Sequence, residues 1–245
     1  MIYITGDCHG DFSRFKKDNF SNLTKEDYVI ICGDFGGIWH DKKIPRQEKI
    51  NLKELSKMKF TTLFVDGNHE NFNRLNKYPV IEWHGGKVHK INSSIFHLMR
   101  GEIYKIEGKK IFAFGGAASH DIKDGVINID DINKIEELKS NKSSYRIRNI
   151  NWWDLEMPTI NEYKNGLNNL KKNNYEVDYV ITHCAPTIIQ NYFNKYYPIN
   201  ELTDYLEEIK NKTKFKEWFF GHYHKNDLDT FDKFKCLYDK IIELK

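Results

Sequence analysis

Side chains that bind metals recur in short groups along this 245-residue chain, and each group follows a short apolar run. The groups are Asp7-Cys8-His9, Gly33-Asp34, Gly67-Asn68-His69, His183 and Gly221-His222-Tyr223-His224. Together they offer two carboxylates, one amide oxygen and five imidazoles. Imidazole and carboxylate donors favour divalent Mn, Fe, Zn, Co or Ni over Ca. The set is too large for one four-coordinate ion, so it predicts two divalent metals that share a carboxylate, most simply Asp34.

The apolar runs predict strands at 2–5, 28–32, 61–65, 179–182 and 218–220. Leu52, Leu55 and Met58 repeat at helical spacing and predict a helix over 46–59, which makes the second and third strands a parallel pair joined by a crossover. In open α/β sheets ligands bind at the carboxyl ends of the strands. Groups far apart in the sequence are therefore expected to converge in one crevice.

The rest of the chain predicts further strands and a long loop. Closely spaced runs at 87–91, 95–99, 102–106 and 109–114 predict an antiparallel meander. The polar stretch 117–158 predicts a long loop excursion with a helical piece over 131–139, and two amphipathic helices follow around Tyr163 and Leu202. No internal repeat, Gly/Ser linker or proline-rich hinge interrupts the sequence, which favours a single domain over 1–245.

Composition narrows the class of protein. The chain is 40% hydrophobic, which excludes a disordered polymer, and its net charge of +3 comes from dispersed basic residues. This charge leaves a nucleic-acid partner open without implying one. Four scattered cysteines, the lack of a signal-peptide pattern and the lack of an apolar run of about 20 residues predict a reduced, cytoplasmic protein without membrane association. Oligomeric state is not indicated.

The motifs DxH, GD, GNH, a lone His and GHxH occur in that order from residue 7 to residue 224. This pattern resembles the metallophosphoesterase superfamily, also called calcineurin-like phosphoesterases, and in particular its small bacterial and phage-type members. The resemblance implies an α/β fold, a four-layer αββα sandwich of two mixed β-sheets flanked by helices. It also implies a catalytic role for His69. It places one metal on Asp7, His9, Asp34 and His224, and the other on Asp34, Asn68, His183 and His222.

The activity implied by the resemblance is hydrolysis of a small or flexible phosphate ester, by a phosphatase or a phosphodiesterase. In such enzymes a hydroxide that bridges the two metals attacks phosphorus. His69 would stabilise the developing charge or protonate the leaving alkoxide. Manganese is the metal expected to support the reaction in vitro.

The second motif departs from that of the protein Ser/Thr phosphatases in this superfamily, which have GDxxDRG. Gly37 stands where the carboxylate that orients the catalytic histidine would be, and Ile38 stands where an arginine would grip the phosphate. Another group must therefore orient His69, and Glu70 and Asp121 are the candidates.

A further pair of segments, 115–121 and 152–156, resembles motifs of the small bacterial and phage-type members. This resemblance makes His120, Arg146 and Arg148 candidates for substrate binding. Trp152 and Trp153 could stack on a base or anchor the long loop, and we favour anchoring.

Three alternatives remain open. A nuclease acting on DNA or RNA is disfavoured because the sequence has no separate DNA-binding domain and no basic stripe. A protein Ser/Thr phosphatase is weakened by the missing DRG. A non-catalytic metal-binding scaffold is disfavoured because His69 and every ligand position are retained.

Overall fold

A computed structural model describes residues 1–16 and 20–244 of the chain. Its strands are β1 Ile2–Thr5, β2 Tyr28–Ile31, β3 Thr61–Phe64, β4 Val80–Trp83, β5 Gly86–Lys90, β6 Ile95–Leu98, β7 Glu102–Ile106, β8 Lys109–Phe114, β9 Val126–Ile127, β10 Arg146–Ile147, β11 Tyr179–Thr182, β12 Glu217–Phe220, β13 Phe234–Cys236 and β14 Ile241–Glu243. Its α-helices are α1 Arg46–Lys57, α2 Phe72–Leu75, α3 Ile132–Ser140, α4 Ile160–Lys172, α5 Thr187–Phe193 and α6 Glu201–Lys212.

Two mixed sheets form the centre of the molecule. The first has seven strands in the order β14-β1-β2-β3-β6-β5-β4, and its four strands β1, β2, β3 and β6 are parallel. The second has five strands in the order β13-β12-β11-β8-β7, and only β7 is antiparallel to its neighbour. The parallel strands of each sheet bring their carboxyl ends to one edge, where loops can collect ligands.

The sheets face each other and carry helices on their outer faces. A core between the sheets contains Ile4 and Leu63 of the first sheet with Ile111 and Ile181 of the second. Such strands are buried on both faces and therefore have near-continuous apolar sequences.

Each outer face has its own apolar cluster. On the first sheet, Phe64 packs in a cluster with Leu55 of α1. On the second sheet, Phe112 packs in a cluster with Leu170 of α4 and Leu206 of α6. The order helices, sheet, sheet, helices confirms the predicted four-layer αββα class.

The predicted meander over 87–114 is wrong as a single unit. Strands β4, β5 and β6 form antiparallel pairs in the first sheet, but the chain then crosses to the second sheet, where β7 pairs with β8. Arg100 lies at this crossing and is buried, with its guanidinium on the Asp66 carboxylate. Alternating apolar residues predict strands but do not show which sheet each strand joins.

The excursion between β8 and α4 has some structure of its own. Helix α3 confirms the predicted helical piece, and the side chain of Asp131 caps its first turn. A short parallel ladder of β9 and β10, together with α5, β13 and β14, was not predicted. None of the helices described is long and apolar enough to cross a membrane. The single-domain organisation over 1–245 stays a prediction.

Candidate metal centre

The predicted ligands lie just beyond the carboxyl ends of strands from both sheets. Asp7 follows β1, Asp34 follows β2 and Asn68 follows β3, whereas His183 follows β11 and His222 follows β12. Because the two sheets end at a common edge, these side chains converge. The structure therefore brings together the groups that the sequence separates by more than two hundred residues.

A first cluster consists of Asp7, His9, Asp34 and His224, whose ligand atoms all lie within 4.8 Å of one another. His9 Nε2 lies 3.1 Å from His224 Nε2 and 3.8 Å from Asp34 Oδ2. His224 Nε2 lies 3.2 Å from Asp7 Oδ2. Two imidazoles and two carboxylates at these separations form a donor set suited to a divalent transition metal.

A second cluster lies on the other side of Asp34. Asp34 Oδ1 is 3.4 Å from His183 Nε2, and the rings of His183 and His222 have centroids 4.9 Å apart. The backbone N–H of His69 donates to Asp34 Oδ1 at 2.8 Å, which holds the GNH loop, and with it Asn68, close to this carboxylate. Asp34 thus contacts both clusters, with one oxygen directed to each.

Three of the candidate ligand atoms are buried without a hydrogen-bond partner: Asp7 Oδ2, Asn68 Oδ1 and His183 Nε2. Buried polar atoms are nearly always hydrogen-bonded, and each exception requires an explanation such as an ion. Since the three atoms belong to the two clusters, bound cations would supply the missing partners. The donor set therefore fits the divalent metals of the family that it resembles.

The tautomer of His183 suits a ligand role. Its Nδ1 lies 2.8 Å from the carbonyl oxygen of Cys32, which can only accept a hydrogen bond. Nδ1 therefore carries a proton, and when a metal takes the place of the proton on Nε2, this second nitrogen can give its electron pair to the ion beside Asp34.

The backbone at the centre is strained. His9, Asp34, His222 and His224 have φ values of 47°, 44°, 69° and 49°, in the left-handed region that side-chain-bearing residues rarely adopt. Such conformations cost on the order of 1–3 kcal/mol each and persist where the surrounding structure imposes them, typically at functional sites.

Gly67 shows how closely the loops approach. A Cβ atom at this position would lie 2.1 Å from Asp34 Oδ1, so only glycine lets the GNH loop reach the shared carboxylate.

The charges at the centre favour a cation. Burial alone would raise the pKa of Asp34, but the neighbouring imidazoles, His183 above all, lower it below its usual value. Burial would lower the pKa of His183, but the Asp34 carboxylate offsets this and raises it to about 10. The neighbouring Asp7 carboxylate raises the pKa of His224. Each direction shows that Asp7 and Asp34 attract positive charge.

A supporting pair that the sequence did not reveal positions Asn68. The amide Nδ2 of Asn68 donates to Ser119 Oγ at 3.3 Å, which leaves Oδ1 as the atom without a partner. Ser119 in turn donates from its backbone N–H and its hydroxyl to the buried Glu156 carboxylate at 2.9 and 2.6 Å. Both residues lie in the motif-like segments 115–121 and 152–156, and that was the only signal in the sequence.

His69 lies at the edge of the first cluster. Its ring packs edge-on against His9 with centroids 5.1 Å apart and lies nearly parallel to the Trp39 ring at 5.8 Å. Burial lowers the pKa of His69, and the charge of Arg146 lowers it further. A neutral imidazole is therefore favoured near pH 7, able to hydrogen-bond without carrying charge.

Glu70 and Asp121 are engaged elsewhere. Glu70 Oε1 accepts from the backbone N–H of Phe35 at 2.7 Å, and Asp121 pairs with Arg146. Within the described residues neither carboxylate is hydrogen-bonded to the His69 ring. The His69 ring contacts the rings of His9 and Trp39 instead.

The three candidate substrate-binding residues occupy different positions. His120 Nε2 lies 2.8 Å from His222 Nε2, beside the second cluster, and its ring stacks on Tyr197 at 3.6 Å. Arg146 pairs with Asp121, and Arg148 pairs with Asp154. Their roles in substrate binding stay predictions.

The two tryptophans of the excursion differ. Trp153 is buried in the outer cluster of the first sheet, with its ring edge-on to Trp39 at 5.1 Å, which confirms anchoring for this residue. Trp152 packs under the guanidinium of Arg148, 5.0 Å from its ring centroid.

The cysteines next to the motifs do not add thiolates to the centre. Cys8, Cys32 and Cys184 are buried, and burial raises the pKa of Cys8 and of Cys184 to about 12. They pack as small apolar side chains.

Comparison with known proteins agrees with this geometry. The profile of the calcineurin-like phosphoesterase family matches residues 1–226. The chain belongs to this family. Its members use divalent metals, and the chain has a carboxylate and histidine cluster suited to such a metal.

Among its relatives are lariat debranching enzyme A of Xenopus laevis and the lariat debranching enzyme of Homo sapiens. The first is 25% identical over 232 residues, which cover 86% of this chain and 38% of that protein. The second is 23% identical over 252 residues, which cover 91% of this chain and 42% of that protein. The chain thus spans about two-fifths of the length of these relatives.

Among solved structures, the phosphopantetheinyl hydrolase of Mycobacterium tuberculosis aligns with 97% of this chain and 87% of its own. The two share 12% identity, and the TM-score is 0.46.

Proposed function

We propose that this calcineurin-like phosphoesterase hydrolyses phosphate esters at a centre of two divalent metals. The observation that carries the proposal is the position of Asp34, whose Oδ2 lies 3.8 Å from His9 and whose Oδ1 lies 3.4 Å from His183. Asp7, His9 and His224 would complete one ligand set, and Asn68, His183 and His222 the other. Manganese is the metal to test first.

The bound metals would supply Lewis acidity toward the phosphate oxygens and lower the pKa of a water molecule. His69 lies beside the first cluster and would hydrogen-bond to the leaving oxygen, where negative charge develops. His120, beside His222, would contact the substrate at the opposite end of the centre. The ligand loops, fixed by hydrogen bonds such as that from the His69 N–H to Asp34, would keep these groups in position without reorganisation during the reaction.

A phosphodiester is the substrate class that we favour. The two candidate arginines already pair with carboxylates, Arg146 with Asp121 and Arg148 with Asp154. Beyond the proposed metals, the centre has only the partly compensated charge of Arg146 for the dianion of a monoester, whereas a diester carries a single negative charge. The lariat debranching enzymes among the relatives make a branched phosphodiester a second candidate.

Two of the alternatives receive less support. Ile38, which stands where protein phosphatases carry an arginine, is fully buried and has no means of binding phosphate. A scaffold without activity would not require His69 to lie next to the first cluster. The third alternative, a nuclease, is one form of the proposed phosphodiesterase, with a nucleic acid as the diester substrate.

The first test is hydrolysis of bis-4-nitrophenyl phosphate and 4-nitrophenyl phosphate, with manganese and with a chelator. We expect metal-dependent turnover that is faster with the diester. Faster turnover of the monoester would reject the diester assignment. Two bound metals without turnover of either ester would favour the scaffold.

Two variants separate the roles of His69 and Asp34. We expect His69→Ala to keep both metals and to lose turnover by about 10²- to 10⁴-fold, because only the group at the leaving oxygen is removed. Asp34→Asn should lose metal as well as turnover, since both ligand sets share this carboxylate. Metal content and kcat measure the two effects, and His84→Ala, at an exposed histidine, is the control. Wild-type activity in either of the first two variants would reject the assignment.

A further inference from the structure

A pocket of about 380 Å³ opens directly beside the candidate metal centre. His9 and His69 line its inner end, and Trp39 lines it together with Gln47, Glu48 and Asn51 of α1. The volume lies in the range of about 300–1,000 Å³ that is typical of small-molecule sites. A group bound here could belong to the same substrate molecule as a phosphate at the metal centre.

Apart from the metal centre at its inner end, the pocket offers no permanent cation to a ligand. No lysine or arginine lines it among the described residues. Its one carboxylate, Glu48, is already paired with the guanidinium of Arg74 and with His40 Nδ1 at 2.7 Å. A second phosphate or another anionic group would therefore lose hydration without gaining a lysine or arginine as its partner. An uncharged group fits this environment.

The walls are held in place and combine apolar with amide surface. Gln47 Nε2 donates to Asn51 Oδ1 at 2.7 Å, and Asn51 Nδ2 donates to the carbonyl oxygen of Gly10 at 2.8 Å. This chain of amides ties α1 to the loop that carries His9. On another side, Trp39 supplies aromatic surface and is itself supported by Trp153. Aromatic surface together with oriented amides suits a flat ring that carries polar edges.

We propose that this pocket binds the leaving alcohol of the phosphodiester, and that it selects an uncharged alcohol with a ring of nucleoside or aryl size. The inference rests on the proposed function. In the reaction the phosphorus–oxygen bond to this alcohol breaks, water supplies the new oxygen on phosphorus, and a proton passes to the leaving oxygen. His69 lines the pocket, so the leaving oxygen of an alcohol bound there would face the residue proposed to assist its departure.

A pocket-filling variant tests the proposal. Gln47 is exposed on α1, so Gln47→Trp should fold normally while its indole occupies the pocket. We compare thymidylyl-(3′→5′)-thymidine with thymidine 3′-(methyl phosphate), two diesters that share a thymidine 3′-phosphate group. When the phosphate stays on this 3′-oxygen, which release of thymidine 3′-phosphate as the product verifies, the two differ only in the leaving alcohol. The variant should lower kcat/KM for the dinucleotide by about 10-fold or more and change that for the methyl ester by less than about 3-fold. Lys53→Trp, on an exposed face of the same helix, should change neither.

Equal losses with both diesters, or no loss with either, would overturn the proposal. The wild-type enzyme could instead cleave bis-4-nitrophenyl phosphate and leave the dinucleotide intact. If Gln47→Trp then impairs cleavage of bis-4-nitrophenyl phosphate, the pocket binds an aryl group; if it does not, the proposal is overturned.

Binding gives a readout that is independent of turnover. Calorimetric titration of thymidine into the metal-loaded protein should show binding that Gln47→Trp abolishes and Lys53→Trp preserves. The pocket assignment would be overturned if thymidine bound neither the wild type nor Lys53→Trp and 4-nitrophenol bound neither of them as well. An enzyme that binds thymidine in this way but cleaves no ester would refute the proposed function and leave the pocket assignment standing.

Discussion

Asn68 depends on a neighbour for its suitability as a ligand. A carboxamide can present either its oxygen or its nitrogen to a metal, and only the oxygen binds a cation. Ser119 Oγ accepts the hydrogen bond of Asn68 Nδ2, so Oδ1 is directed to the second cluster, and Glu156 holds the Ser119 hydroxyl in this orientation. The orientation of one ligand thus depends on a residue 51 positions away.

We expect Ser119→Ala to weaken metal binding at the second cluster by roughly 10- to 100-fold, as loss of outer hydrogen bonds typically does. The first cluster should keep its ion, because His9 and His224 do not contact Ser119. Calorimetric titration with manganese resolves the two sites, and Ser119→Thr, which keeps the hydroxyl, should restore the affinity. Two ions bound by Ser119→Ala with wild-type affinity would show that Asn68 needs no such support.

The GNH motif that contains His69 does not specify which residue orients its ring. The missing carboxylate at Gly37 predicts a substitute, but the candidates Glu70 and Asp121 bind Phe35 and Arg146 instead. The His69 ring instead lies nearly parallel to the ring of Trp39, a residue two positions beyond Gly37 in the chain, and edge-on to His9.

At the scale of elements, the crossing from β6 to β7 depends on one buried network. Asp66, just beyond β3, accepts from Arg100 Nε at 2.9 Å and lies 2.9 Å from His97 Nε2 of β6. Arg100 also donates to the carbonyl oxygen of Leu155 at 2.8 Å, which ties the end of the excursion to the crossing. The network joins the GNH loop, the two sheets and the segment that carries Glu156.

We expect Arg100→Ala to lower the free energy of unfolding by about 3–5 kcal/mol, because it leaves the Asp66 carboxylate buried with its main counter-ion removed. Urea denaturation followed by circular dichroism measures the loss. Lys77→Ala removes the exposed ion pair with Asp41 and serves as the control, with an expected cost of about 0–1 kcal/mol. Equal losses in the two variants would mean that the buried network contributes no more than a surface pair.

At the scale of the whole molecule, we expect metal binding to stabilise the fold. Ligands from both sheets meet at one edge, so an ion held there links β1, β2 and β3 to β11 and β12. A ligand that binds only the folded state stabilises it by about 2.7 kcal/mol at one hundred times its dissociation constant.

For a chain of this length we expect saturating manganese to raise Tm by about 5–10 °C over the chelated protein. Differential scanning calorimetry measures the shift. Asp34→Asn should show almost none of it, whereas His69→Ala should retain it, since His69 is not assigned to a metal. An identical Tm with metal and with chelator would argue against an ion that joins the sheets.

The sequence by itself indicated the groups of residues that converge at the strand ends. These follow from local features, because an apolar strand followed by a turn and a ligand-type side chain occupies only a few adjacent residues. The order of the motifs from Asp7 to His224 carried the resemblance to the family, and that resemblance implied the four-layer class.

Only the tertiary structure decided the split of the predicted meander between two sheets, the Ser119 and Glu156 support of Asn68, the contact of Trp39 with His69, and the pocket beside α1. Each depends on distances between elements that are remote in sequence. The packing of the four layers sets those distances, and they cannot be predicted from the spacing of residues within a single strand or helix.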